Sequence, residues 1–199
     1  VKQGILAALT LPRIAAETDD EFIARVIDDS KEQVKKAAEK GQWIHAAIDG
    51  SFSGEMYSPE YEPHAKAVRE LISELFPTVS DWCSEVSFSH PRGFGGRVDL
   101  HSKATGITID YKSKDGDFKD GKRLAYDQNQ QLAGYREGLH LNRDAEGATI
   151  FVSRTHPGAI AYKIWSPAEM SDGWKIFEAA LELWKRIKHY DPADTEVTR

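Results

Sequence analysis

Cysteine is nearly absent from this chain of 199 residues: Cys83 is the only one. It excludes an internal disulfide, a cysteine-rich zinc site and a four-cysteine iron–sulfur cluster, and it points to a reducing compartment. Long apolar runs are missing too, so no stretch spans a bilayer as a helix. The first sixteen residues lack the charged leader and cleavage pattern of a secretory signal. The chain opens on Val rather than Met, which leaves a removed organelle-targeting segment open. Excess positive charge is lacking as well: the formal net charge is −6, which speaks against coating nucleic acid by bulk electrostatics. There is no internal repeat and no low-complexity tract.

What is present is ordinary for a globular protein, with 40% hydrophobic and 29% charged residues and length enough for one sizeable core. Charge is unevenly placed. Residues 1–96 carry 10 Lys and Arg against 16 Asp and Glu, whereas residues 97–143 carry 9 against 7. The positive stretch is also the one that holds the candidate chemistry.

Thr18, with Glu21 three residues on, predicts a helix start. An apolar stripe through Val34, Ala38, Gly41, His45 and Ile48 extends that helix until Ser51–Gly54. Ser58-Pro59 opens a second helix, closed by Pro77. Alternation then predicts strands over 82–89, 96–101 and 107–113, the last two joined by a Lys-Ala-Thr-Gly turn. A polar loop, Asp115–Gly121, leads to a helix over 124–139, two strands over 148–153 and 160–164, and a last helix from Ser166-Pro167 to about His189. The order implies one α/β domain over residues 1–190 with a mixed sheet, N-terminal helices over 1–76 and a core over 77–190; residues 191–199 are expected to be a disordered tail. Cys83 reads as buried filler, and Trp165, Trp174 and Trp184 as packing around the last helix. Gly93-Phe-Gly-Gly shapes a strand entry.

Antiparallel pairing about Ala104–Thr105 sets residues summing to about 209 opposite each other, so Asp99 faces Asp110. Two like charges so placed repel unless a cation lies between them or one carboxyl keeps its proton. Carboxylate oxygens suit Mg²⁺ or Mn²⁺. Alternation puts Lys112 on the face of Asp110, with Ile109 and Tyr111 turned to the core. Two carboxylates, a metal and a lysine meet the needs of phosphodiester hydrolysis: an activated water and a counter-charge for the anionic transition state. Taken alone, Asp-x-Lys is a common tripeptide that mostly makes surface salt bridges. Three more features add to it: His45 on the inward stripe of its helix, Gln131 and Tyr135 one helical turn apart, and the basic residues Lys114, Lys119, Lys122 and Arg123 in the intervening loop.

In this order, His45, Gly96-Arg97-Val98-Asp99, Ile109-Asp110-Tyr111-Lys112 and Gln131-Leu132-Ala133-Gly134-Tyr135, the sequence resembles the RecB-type branch of the PD-(D/E)XK nuclease superfamily over roughly residues 40–190. That branch includes helicase–nucleases, CRISPR-adaptation nucleases, and phage and mitochondrial genome maintenance exonucleases. The resemblance implies a restriction-endonuclease-like core, a central mixed sheet flanked by helices with extra N-terminal helices. It implies that Asp99, Asp110 and the Tyr111 backbone carbonyl hold the metal, that His45 approaches it, and that Glu85 is a further acidic group nearby. Lys112 would position the water, and Gln131 and Tyr135 would brace the site and touch DNA. Arg97, Lys114, Lys119, Lys122 and Arg123 would grip the phosphate backbone. The implied activity is exonucleolytic cleavage at single- or double-stranded DNA ends in recombination, replication or repair, alone or beside a helicase or recombination protein. A structure-selective endonuclease and a catalytically inactive nucleic-acid-binding module are the alternatives. The single cysteine rules out the iron–sulfur cluster of some relatives, and nothing in the sequence calls for a membrane.

Overall fold

The computed structural model describes residues 8–119, 124–190 and 192, which fall into two compact units, one up to Trp43 and one from Ile44. Among the described residues, no helix is long and apolar enough to cross a membrane.

The first unit is dominated by the beginning of helix α1 (Asp19–Ser53). Its start is the expected capping box: the Glu21 N–H donates to Thr18 Oγ1 and the Thr18 N–H to Glu21 Oε2, 2.9 Å away. Three acidic residues fill the first turn, where the helix dipole favours negative charge. Arg25 closes the segment before the helix by bonding Glu17 and the Pro12 carbonyl.

The second unit is α/β. Its elements are the end of α1, a 3₁₀ turn (Pro59–Tyr61) running into α2 (Glu62–Leu75), strands β1 (Trp82–His90), β2 (Phe94–Ser102) and β3 (Thr108–Lys114), helix α3 (Gln128–Gly138), strands β4 (Gly147–Ser153) and β5 (Ile160–Trp165), and helix α4 (Pro167–Lys188). The five strands form one mixed sheet in sequence order, antiparallel except for the parallel pair β3–β4 that brackets α3. A parallel pair needs a crossover, and α3 is that crossover.

Each face of the sheet carries helices. On one, Ile44 and Ile48 of α1 and Val68, Leu71 and Ile72 of α2 pack on Leu100, Ile109, Tyr111, Ile150 and Val152. On the other, Leu132 and Ala133 of α3 pack with Trp165 and Met170. Covering on both faces explains why every residue of β4 is buried. Helices α3 and α4 approach closely where Gly173 meets Asn129: a Cβ at 173 would lie 2.6 Å from the Asn129 carbonyl oxygen. Helix α4 starts with a second capping box, Ser166 with Glu169.

Three expectations need correction. Helix α3 begins at Gln128, not 124, because Gln128 Oε1 accepts the Tyr126 N–H and Lys114 Nζ bonds the Leu124 carbonyl, diverting the groups that would extend it. Cys83 is exposed, since β1 is an edge strand and alternation turns this residue outward. Trp184 is also exposed: α4 has twice the length of α3, so its last turns outrun the helix they would pack on. Gly93, at φ +85°, supplies the turn that enters β2, as expected. Residues 191 and 193–199 of the expected tail lie outside the described residues.

Candidate active site

The β2–β3 pairing has the expected register, Leu100 opposite Ile109 and His101 opposite Thr108. The ladder stops one pair short of Asp99 and Asp110. There the strands part, and the Tyr111 N–H donates to Asp99 Oδ2 at 2.6 Å in place of a backbone carbonyl. The gap lets side chains from both faces of the sheet converge. From the α1 face, His45 Nδ1 comes within 4.0 Å of Asp99 Oδ2, and its ring stands edge-on to Tyr111. From the α3 face, Lys112 Nζ lies 3.0 Å from Asp110 Oδ1 and 2.9 Å from Gln131 Oε1, and Gln131 in turn donates to the Tyr135 hydroxyl. Asp110, Lys112, Gln131 and Tyr135 thus form one hydrogen-bonded chain over β3 and α3, and Asp99 with His45 and Tyr111 forms a second group beside it.

Charge in this set is held under tension. Asp110 is almost fully buried and Asp99 nearly so. Burial first, then for Asp110 the neighbouring Asp99 charge, pushes both carboxyls up, to about 6. Lys112 opposes that rise. Its ammonium is 2.8 Å from Asp110 Oδ2 as well, but only the approach to Oδ1 has hydrogen-bond geometry. Asp110 Oδ2 is buried, with that ammonium as its ion-pair partner. Burial also lowers the His45 pKa, so the imidazole is neutral at pH 7 with a lone pair available. Desolvation raises the Tyr135 phenol to about 12, and it stays protonated.

Glu85 lies across from Asp99 on β1, at the one place where the β1–β2 ladder skips a pair. Its φ of +54° is left-handed, a conformation that costs an ordinary residue about 1–2 kcal/mol. Its carboxylate pairs with Arg97 and still raises the Asp99 pKa. Among the described residues, no three His, Cys, Asp or Glu side chains converge as a metal-binding group.

The residues expected to grip DNA are less free than their sequence suggests. Arg97 is tied to Glu85, Lys119 pairs with Asp117 at 3.8 Å, and Lys114 bonds the Leu124 carbonyl while lying over the Phe151 ring. Lys122 and Arg123 lie outside the described residues.

Sequence reasoning missed two features. Asp49, four residues after His45 on the same helix, has a buried Oδ1 without a hydrogen bond and adds negative charge beside Tyr111, whose hydroxyl is likewise buried without one. The i, i+4 spacing was the available signal. The second is a cavity of about 510 Å³ beside Lys112, Gln131 and Tyr135, walled by Phe88, Phe94 and Phe177. No spacing in the sequence links those three aromatics.

A scan against protein-family models and a search of curated proteins both find no match for this chain.

Proposed function

We propose that this chain is a metal-dependent deoxyribonuclease of the PD-(D/E)XK type, an exonuclease acting at DNA ends in recombination, replication or repair. The observation that carries the reading is the buried pair Asp99 and Asp110, neighbouring carboxyls whose burial and mutual repulsion oppose their ionisation. Lys112 pairs with Asp110 alone, and a further cation between the two carboxylates would balance the pair.

The donor set fits a hard divalent cation. Asp99 and Asp110 would hold Mg²⁺ or Mn²⁺, with neutral His45 beside Asp99, the Tyr111 carbonyl, and Glu85 as a more distant acidic group. Backbone oxygen or water would complete the shell, as is usual for Mg²⁺. When bound, the ion would supply Lewis-acid charge and lower the pKa of a water molecule.

The protein's own residues do the rest. Lys112 is pinned between Asp110 and Gln131, so its ammonium has a fixed direction and can orient a water or meet charge building on a phosphoryl oxygen. Tyr135 bonds Gln131 and keeps that amide oxygen turned to Lys112. Neutral His45 adds no positive charge of its own.

Digestion of end-labelled single- and double-stranded DNA with Mg²⁺, Mn²⁺ or chelator tests the reading. Cleavage should need the metal, and Lys112→Ala or Asp110→Ala should reduce it by about 10²–10³ or more. Lys112→Ala cutting as fast as wild type would sink the assignment. Covalently closed circular DNA should survive; its cleavage would convert the reading to an endonuclease.

A further inference from the structure

The aromatic cavity next to Lys112 has no part in hydrolysis as derived above. Phe88, Phe94 and Phe177 wall it, and Gln128, Gln130 and Gln131 line it, the amides of Gln128 and Gln131 being already bonded within the protein. The three rings are only half-buried, unlike Phe151 in the core, so protein covers them incompletely. Phe94 stands edge-on to both of the others, with ring centres 6.0 and 5.1 Å apart. A flat guest can therefore lie against one ring while others meet its rim. Glycine lets this wall close up on α3: a Cβ at Gly134 would come within 3.0 Å of the Phe177 ring. The volume falls in the range of small-molecule sites, about 300–1,000 Å³.

Resting on the nuclease reading, we propose that this cavity receives one unpaired nucleobase, that of the nucleotide adjoining the phosphate presented to Lys112. Every base has a π-face that stacks on an aromatic ring, and every base edge carries donors and acceptors that the Gln130 amide can match either way round. The cavity thus accepts a base without choosing which. A paired base has its hydrogen-bonding edge committed to its partner and cannot enter the cavity singly. The substrate is accordingly a single-stranded end, or a duplex end frayed by at least one nucleotide.

The test uses the full chain and single-stranded pentanucleotides carrying 2-aminopurine, whose fluorescence rises when it leaves its neighbours. In chelator, binding should brighten the probe at one end position and leave it dim at the centre. Gln130→Trp, which fills the cavity from its rim, should abolish the brightening; Phe88→Leu, which keeps bulk but removes a ring, should weaken binding about tenfold. Thermal midpoints near that of wild type verify that both variants fold. With Mg²⁺ or Mn²⁺, an abasic nucleotide at the responsive position should lower kcat/KM about tenfold in the wild type and leave Gln130→Trp unaffected. Uniform dimness at every position, or equal cleavage of abasic and base-bearing ends, overturns the pocket while leaving the nuclease reading intact. Brightening without cleavage of any DNA upholds the pocket and removes the nuclease.

Discussion

Asp99 shows how a single side chain can serve a site at the expense of the fold. Both it and Asp110 hold a proton more tightly in the native state than in the unfolded chain, because burial disfavours their charge. Between about pH 4 and about 6 the native state therefore carries the extra proton, and stability falls as pH rises through that window. At pH 7 in chelator the penalty is fully present. Asp99→Asn keeps an oxygen for the Tyr111 N–H and removes the charge. Its thermal midpoint in chelator at pH 7 should exceed that of wild type by about 3–6 °C, corresponding to about 1–2 kcal/mol, while cleavage is lost. A midpoint at or below wild type would mean that Asp99 is not strained by burial. Tyr135 works at one remove, through Gln131. Tyr135→Phe should lower kcat by about tenfold with KM little changed; a change confined to KM would assign Tyr135 to binding instead.

Among the elements, helices α3 and α4 depend most on a single position. Gly173 lets the α4 backbone approach Asn129, whose side-chain amide donates to the Glu169 carbonyl at 2.8 Å. Gly173→Ala drives a methyl into a backbone carbonyl that cannot swing aside, and denaturant unfolding should show a loss of about 1–3 kcal/mol. Since α3 carries Gln131 and Tyr135, activity should fall with stability. Element order, a mixed sheet and most boundaries were legible in the sequence because burial imposes plain periods, two for β1–β3 and 3.6 for α1. The start of α3 was not, since two side chains, Gln128 and Lys114, divert its first backbone groups. The β2–β3 register was legible from the turn alone; the parting of the strands before Asp99 was not, because only the packed fold shows the carboxylate replacing a carbonyl. Lys112, Gln131 and Tyr135 were found by alternation and helical spacing, while Phe88, Phe94 and Phe177 meet only through tertiary packing.

For the molecule as a whole, the question is how a chain of net charge −6 would hold a polyanion. Arg97, Lys114 and Lys119 are already engaged with protein groups. Each phosphate contact releases counterions and adds about −0.9 to the slope of log Kobs against log salt for duplex DNA, about −0.7 for a single strand. With those three paired, binding should weaken with salt at a shallow slope, of magnitude about 2–4, measured by titrating labelled DNA at several salt concentrations. A much steeper slope would mean that a broad basic surface carries the contact. Exposed Ile23, Ile27 and Val34 on the first part of α1 leave that element with apolar surface of its own.

The hydrogen bond from the Tyr111 amide to Asp99 has one more consequence. An amide proton facing a carboxylate resonates far downfield of one facing a carbonyl, and it responds to whatever charge that carboxylate carries. Tyr111 is thus a built-in gauge of its neighbour: labelled with ¹⁵N, its cross-peak should move as Asp99 is protonated or shares its electrons with a cation, while amides deep in β4 stay still.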